Sequence, residues 1–189
     1  MLSGVGFTAL IPINEVAEAE LYRLEQFSCG NPSLDSFLHA QAQELHADHL
    51  NHTSLLFHED FDGLVGYITL SNDSIPLKVS EVGDLGLAYQ TDLQSFPAVK
   101  IGRLAVHADL QRTGVGTRLL DLAIGEVIGV QTVTAARLMI TDAVNDPKVI
   151  KFYERHGFLE SFWATDQARN HGRGRDRATI KMIRDIYGA

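Results

Sequence analysis

One turn constrains the fold of this 189-residue chain more than any other feature: Gln111-Arg112-Thr113-Gly114-Val115-Gly116. A strand is predicted before it, over residues 99–107, and an amphipathic helix is predicted over residues 114–128. The two glycines allow unusual backbone dihedrals and a close approach of a ligand. The free N–H groups and the positive dipole end of the helix suit an anion such as a pyrophosphate. The turn predicts an anion site, although a glycine turn that only solves a packing problem remains the alternative.

The order of the predicted elements is that of a mixed α/β domain, not a regular parallel array. Asn31-Pro32 and Asp146-Pro147 each begin a helix, and Gly157 ends the second of these. The predicted strands are residues 7–13, 53–58, 64–70, 99–107, 137–141, 158–163 and 178–183, and the predicted helices are 32–50, 114–128 and 147–156. Residues 75–97 are predicted as a long loop with a short helical piece, and residues 169–175 as a loop.

Composition bounds the class of protein. Hydrophobic residues are 45% of the chain and charged residues 21%, which with this length predicts a single domain over residues 1–189. The one cysteine allows no internal disulfide, and no signal peptide or run of about 20 apolar residues is evident, so we expect a cytoplasmic protein without a membrane partner. The net charge of −8 argues against a generic nucleic-acid binder.

A second block strengthens the interpretation of the glycine turn. Asn145-Asp146-Pro147 begins a helix that ends in Phe-Tyr-Glu-Arg-His-Gly-Phe over residues 152–158. Together the two blocks resemble the GNAT superfamily of acetyl-CoA-dependent N-acetyltransferases, in which Gln/Arg-x-x-Gly-x-Gly/Ala precedes Phe-Tyr-x-x-x-Gly-Phe. The resemblance implies a bent, mixed and mostly antiparallel sheet with helices on both faces, acetyl-CoA as co-substrate and a primary amine as acceptor.

Shorter motifs point to one branch of that superfamily. They are Phe27-x-Cys29-Gly30, Leu34-Asp35-x-Phe37-Leu38, Gly66-Tyr67-Ile68-Thr69-Leu70-Ser71 and Gly102-Arg103-Leu104-Ala105-Val106. Their pattern is similar to the GNAT subfamily that includes the toxins of bacterial toxin–antitoxin modules, which acetylate the amino group of aminoacyl-tRNA and stop translation. The resemblance implies aminoacyl-tRNA as acceptor, an antitoxin protein as partner and a homodimer, although the subfamily also holds members without a known antitoxin.

The resemblance also implies roles for individual residues. Tyr153 is the expected general acid for the departing thiolate, and its alternative role is packing beside Phe152. A backbone N–H near Val106 is the expected oxyanion donor, and Asn145 is expected either to contact the cofactor or to cap the helix. The residues expected to bind acetyl-CoA are Leu104, Ala105, Val106, Gln111, Arg112, Thr113, Gly114, Val115, Gly116, Thr117 and Asn145.

The acceptor is the least constrained part of the prediction. No general base is evident, and Glu126 is expected to face solvent. This favours an amine that is neutral near pH 7, such as that of aminoacyl-tRNA, over a lysine ε-amine. The acidic balance favours a small-molecule or protein acceptor instead, and a module that binds acetyl-CoA without turnover is the remaining alternative.

Three further groups of residues receive structural interpretations. A metal face of His39, His46, His49 and His52 is weighed against a solvated helix end, and no metal site is predicted, because no Cys or carboxylate cluster completes it. Cys29 is expected to be a small buried residue. Arg169, Arg173, Arg175 and Arg177 form either a solvated loop or a contact with tRNA phosphates or an acidic antitoxin.

Overall fold

The computed structural model describes residues 2, 5–87, 93–129, 135–170, 172 and 177–188, and the elements below lie within them. The strands are β1 (Ile11–Pro12), β2 (His52–His58), β3 (Phe61–Ile75), β4 (Phe96–Val106), β5 (Leu138–Val144), β6 (Leu159–Glu160) and β7 (Thr179–Asp185). The helices are α1 (Tyr22–Glu25), α2 (Pro32–Ala40), α3 (Ala42–Ala47), α4 (Val79–Asp84), α5 (Val115–Gly129), α6 (Pro147–Arg155) and α7 (Phe162–Asn170).

The strands are hydrogen-bonded in the order β1-β2-β3-β4-β5-β7-β6. β4 and β5 run parallel, whereas the pairs β1–β2, β2–β3, β5–β7 and β6–β7 are antiparallel. The register of β4 on β5 runs from Ala98 opposite Leu138 to Ile101 opposite Thr141. This topology confirms the predicted mixed α/β class with a mostly antiparallel sheet.

The chain forms two compact units, Met1–Ser71 with Gly102–Gly129 and Asn72–Ile101 with Val130–Ala189. The core of the first unit packs α1 and α2 against β2 and β3 around Phe27, Phe37 and Tyr67. The hydroxyl of the fully buried Tyr67 donates to the carbonyl of Leu34, 2.9 Å away, which ties β3 to α2. The core of the second unit gathers the buried residues Ile75, Leu87, Phe96, Ala98, Leu138, Ile140 and Ile183.

The helix predicted over residues 32–50 begins as expected, but the structure has two helices there, α2 and α3. The side chain of Asn31 accepts from the N–H groups of Ser33 and Leu34, at 3.0 and 3.4 Å, so the predicted cap is confirmed. Gln41 has φ −131° and ψ −28°, outside the helical region, and this residue separates α2 from α3.

Several other boundaries differ from the prediction. β3 runs well beyond the predicted residues 64–70, and β5 continues three residues past 141. The strand predicted over residues 7–13 is reduced to β1 and an isolated bridge from Phe7 to His58. The short helical piece predicted within residues 75–97 is α4.

The strand predicted over residues 158–163 is confirmed only as the two-residue β6, and the prediction is wrong from Phe162 onward, where α7 begins. The N–H groups of Phe162 and Trp163 donate to the carboxylate of Glu81 at 2.7 and 3.0 Å, and that of Ala164 donates to the Ser161 hydroxyl at 3.1 Å. These acceptors satisfy the first turn of the helix. Arg169, predicted to begin a loop, lies in the last turn of α7.

Within the described residues, no helix has both the length and the apolar character that crossing a bilayer requires.

Candidate active site

The predicted anion site is a loop and helix start in the first unit. After β4 a single 3-10 turn, Ala108–Leu110, leads into the loop, and α5 begins at Val115. Arg112 has φ +63° and Gly114 has φ +97°, so the chain takes the left-handed conformation twice just before the helix. A side chain at Gly114 would meet no atom within 4 Å. The glycine is therefore needed for its backbone conformation, and the space beside its Cα is free of other atoms.

Side chains of the loop hold its shape. The Gln111 amide donates to the carbonyls of Cys29 and Val106, at 2.7 and 3.2 Å. The Thr113 hydroxyl donates to the Leu110 carbonyl at 2.6 Å. Because these polar side chains are used within the protein, the loop offers a ligand mainly its backbone and the exposed Arg112. That donor set fits a pyrophosphate.

The strand before the loop is closely packed against β3. Ala105 is buried, and Leu104 and Val106 are half-buried. A Cβ on Gly66 would lie 2.6 Å from the Ala105 carbonyl oxygen and 2.8 Å from Leu119 Cδ1. Gly66 is thus the residue that lets β3 approach β4 at the segment predicted to bind the cofactor.

Tyr153 lies on the buried side of α6 in the second unit. Its side chain is 6% exposed and packs edge-on against Phe152 and Phe158, with ring centroids 5.1 and 5.2 Å away. Burial raises the pKa of Tyr153, against an opposing effect of its hydrogen bond with Thr141. The phenol therefore stays protonated through the neutral range and can donate a proton.

The hydroxyl of Tyr153 is placed where the parallel pairing of β4 and β5 stops. The Thr141 hydroxyl donates to the Ile101 carbonyl at 3.2 Å, and these two residues are the last pair of that register. Thr141 is also the hydrogen-bond partner of the Tyr153 side chain, and this contact acts to lower the pKa of Tyr153. The structure thus gives Tyr153 both the packing role considered from sequence and a hydroxyl directed to a strand end.

Asn145 does not cap α6. The cap is Asp146, whose carboxylate accepts from the Lys148 N–H at 2.7 Å, with Pro147 at the first helical position. The Asn145 amide instead donates to the Arg177 carbonyl at 2.8 Å. The capping role considered for Asn145 is therefore wrong, and its contact with the cofactor stays a prediction.

The histidines, Cys29 and Glu126, which received no catalytic role from the sequence, have the following surroundings. His46 is buried and its Nδ1 accepts from the Thr53 N–H at 3.1 Å, and within the described part of the chain no group of three or more potential ligands is placed to hold a metal. Cys29 is buried, and burial, with a hydrogen bond to Asp35, raises the pKa of its thiol to about 11. Glu126 is exposed, as expected.

The basic segment is only partly described. Arg169 is exposed, and Arg177 pairs with Glu160 at 2.9 Å. Arg173 and Arg175 lie outside the described residues.

The chain is similar to a known protein family and to a characterised toxin. The model of the acetyltransferase (GNAT) family matches residues 18–158. A tRNA-acetylating toxin of Mycobacterium tuberculosis (strain ATCC 25618 / H37Rv) is 31% identical over 121 residues, which are 64% of this chain and 69% of the toxin.

Solved structures of toxins share the fold. The toxin AtaT complexed with acetyl-methionyl-tRNAfMet superposes with a TM-score of 0.69 at 21% identity, covering 93% of each chain. AtaTR bound with acetyl-CoA gives 0.67 at 21% identity, covering 93% of this chain and 92% of that one. The KacTA–DNA complex gives 0.65 at 23% identity, covering 95% and 93%. The chain belongs to the GNAT acetyltransferase family, which confirms the prediction of an N-acetyltransferase that uses acetyl-CoA.

Proposed function

We propose that the acceptor is the α-amino group of aminoacyl-tRNA, so that the enzyme acts as a translation-blocking toxin. The observation that carries the proposal is the 31% identity with the tRNA-acetylating toxin, which extends over 69% of that protein. The short motifs of the sequence, such as Gly66 to Ser71 and Gly102 to Val106, point to the same branch of the family.

The distribution of charge supports an RNA substrate despite the net charge of −8. Residues 1–136 contain 17 Asp and Glu and 6 Lys and Arg, a net −11, whereas residues 137–189 contain 7 and 10, a net +3. The last third of the chain is therefore basic. Phosphate binding depends on such local excess rather than on the total charge.

Each predicted site residue except Asn145 has a role in this proposal. Acetyl-CoA supplies an activated acetyl thioester. The loop from Gln111 to Thr117 binds its pyrophosphate, and the backbone of Leu104 to Val106 binds its arm, with an N–H near Val106 facing the carbonyl oxygen. Tyr153 gives its hydroxyl proton to the sulfur as the carbon–sulfur bond breaks and the new carbon–nitrogen bond forms.

No general base is assigned among the described residues, and this chemistry does not require a strong one. An α-amino group loses its proton near neutral pH, whereas a lysine ε-amine has a reference pKa of about 10.4. Buffer or water therefore suffices to take the proton of an aminoacyl ester. A lysine acceptor would need a dedicated base.

The proposal extends to location and partners. Aminoacyl-tRNA is used in the cytoplasm, where we place the protein as one GNAT domain over residues 1–189. AtaT has been solved with the C-terminus of its antitoxin AtaR, and a protein of that kind is the partner we propose here, together with self-association as a homodimer.

A cell-free translation assay tests the proposal. Purified protein should arrest translation only when acetyl-CoA is present, and Tyr153→Phe should abolish the arrest while still binding acetyl-CoA. Tyr22→Phe is the matched control, because Tyr22 is an exposed residue whose hydroxyl donates to Asp62, 3.1 Å away. Undiminished translation, with acetyl-CoA binding confirmed by calorimetry, would refute the RNA acceptor and leave small amines or proteins, which the net charge of −8 favours.

A further inference from the structure

Helix α6 presents a basic side to solvent opposite its buried side. Lys148, Lys151 and Arg155 are exposed, whereas Tyr153 on the same helix is buried. At 100° per residue, positions 148, 151 and 155 lie within one narrow sector, and position 153 lies nearly opposite. These three side chains are called the α6 basic face below.

The α6 basic face lacks the ion pairs that most other basic residues make. Seven other Lys and Arg side chains have a carboxylate oxygen within 4 Å: Arg23, Lys78, Lys100, Arg137, Arg169, Arg177 and Lys181. In the part of the chain that the structure describes, no carboxylate comes that close to Lys148, Lys151 or Arg155. In a chain with 24 acidic and 16 basic residues, three neighbouring cations without a carboxylate stand out.

The acidic residues of α6 do not neutralise this face. Asp146 uses its carboxylate to cap the helix through the Lys148 N–H, 2.7 Å away. Glu154 is exposed on the flank of the helix and makes no ion pair with a described residue. The exposed part of α6 therefore keeps a net positive charge.

The spacing suits a regular row of negative charges. At 1.5 Å of rise per residue, Lys148 and Lys151 are about 4.5 Å apart along the helix axis, and Lys151 and Arg155 about 6 Å. Long, exposed Lys and Arg side chains can adjust to phosphates over such distances. A protein of net charge −8 repels RNA at long range, so binding requires a local surface of this kind.

We propose that the α6 basic face binds the phosphate backbone of the tRNA whose amino group is acetylated. This rests on the proposed function and adds to it the surface that holds the RNA, on the side of α6 opposite Tyr153. The contacts are sequence-independent, because they involve phosphates and not bases.

The triple variant Lys148→Gln, Lys151→Gln, Arg155→Gln tests the surface. With deacylated tRNA and fluorescence anisotropy, we expect affinity at low salt to fall at least about tenfold. We also expect the slope of log affinity against log salt to flatten by about 2 to 3, since each lost phosphate contact removes about 0.7 to 0.9. With charged tRNA, KM should rise and kcat should not change, and acetyl-CoA affinity should equal that of the wild type.

A charge-matched control separates a local contact from a general field. The variant Ser36→Glu, Gln43→Glu, Gln94→Glu also changes the net charge by −3, at exposed positions outside α6. It should keep most of the affinity and the wild-type salt slope. An equal loss in this control would overturn the proposal, as would wild-type affinity and slope in the α6 variant.

Two further outcomes are distinguishable. If the wild type binds tRNA through α6 but acetylates no charged tRNA, the proposed function fails while the surface stands. If the α6 variant binds tRNA normally but no longer binds polyglutamate, the surface serves an acidic protein and the RNA assignment is overturned.

Discussion

Replacing Gly66 by alanine should damage both stability and the cofactor strand. The added Cβ would lie 2.6 Å from the Ala105 carbonyl oxygen, and ordinary contacts begin at 3.4 Å, so about 0.8 Å of movement is needed. The Leu119 methyl at 2.8 Å can turn away, but the backbone carbonyl moves only with β4. Overpacking of this kind costs about 1 to 3 kcal/mol, and an alanine in a strand regains about 0.5 to 1 kcal/mol.

With the middle of each range, the expected net loss is about 1.2 kcal/mol, or a fall in Tm of about 2 to 5 °C for a chain of this size. Because Ala105 lies in the segment predicted to bind acetyl-CoA, kcat/KM for acetyl-CoA should fall about tenfold or more. Gly102→Ala, on β4 like Ala105, is the control. A Cβ at Gly102 would meet nothing closer than the Thr69 carbonyl oxygen at 3.7 Å. Urea unfolding and steady-state kinetics measure both effects, and equal behaviour of the two variants would show that close packing at Gly66 is not required.

Three other substitutions or treatments test separate contacts. Thr141→Val removes the hydrogen-bond partner of Tyr153, so kcat should fall about three- to tenfold with unchanged acetyl-CoA affinity. Thr141→Ser keeps the hydroxyl and should retain activity. A valine variant with the kcat of the wild type would contradict this role. Cys29 should react with Ellman's reagent far more slowly in the native protein than in urea at pH 7.5, because burial raises its pKa to about 11, and equal rates would contradict the buried thiol. Burial acts to raise the pKa of Asp142, but hydrogen bonds from Lys100 and Lys181 hold it below its usual value. The ionised carboxylate therefore stabilises the folded protein above about pH 4, and this contribution is lost as pH falls through the folded-state pKa. Asp142→Asn should therefore lower the free energy of unfolding at pH 7 by about 1 kcal/mol, with a difference that shrinks in acid; a pH-independent difference would argue against the charge interaction.

Local sequence signals predicted the elements that carry the site. The Asn31 cap, the helix start at Asp146-Pro147, the glycine turn and the start of α5 all depend on residues within one helical turn, and the structure places them as predicted. The family motif placed Tyr153 on α6, but the sequence could not show its hydrogen bond with Thr141, because the partner lies on another strand.

What the sequence missed depends on contacts between distant segments. The start of α7 is capped by Glu81, which precedes it by 81 residues, so a local pattern over residues 158–163 resembled a strand. The local signal for this helix was Ser161, whose hydroxyl accepts from the Ala164 N–H. The need for glycine at Gly66 is likewise visible only when β4 is placed beside it.

The double use of Glu81 also bears on the order in which the chain folds. Its buried carboxylate accepts from the Lys78 N–H at 2.8 Å and from two N–H groups of α7, joining the starts of two short helices. A nine-residue helix does not persist in water by itself. The six-residue α4 is shorter still, so we expect α4 and α7 to form together, once Glu81 joins them, late in folding. Loss of this carboxylate should speed unfolding while leaving the folding rate nearly unchanged.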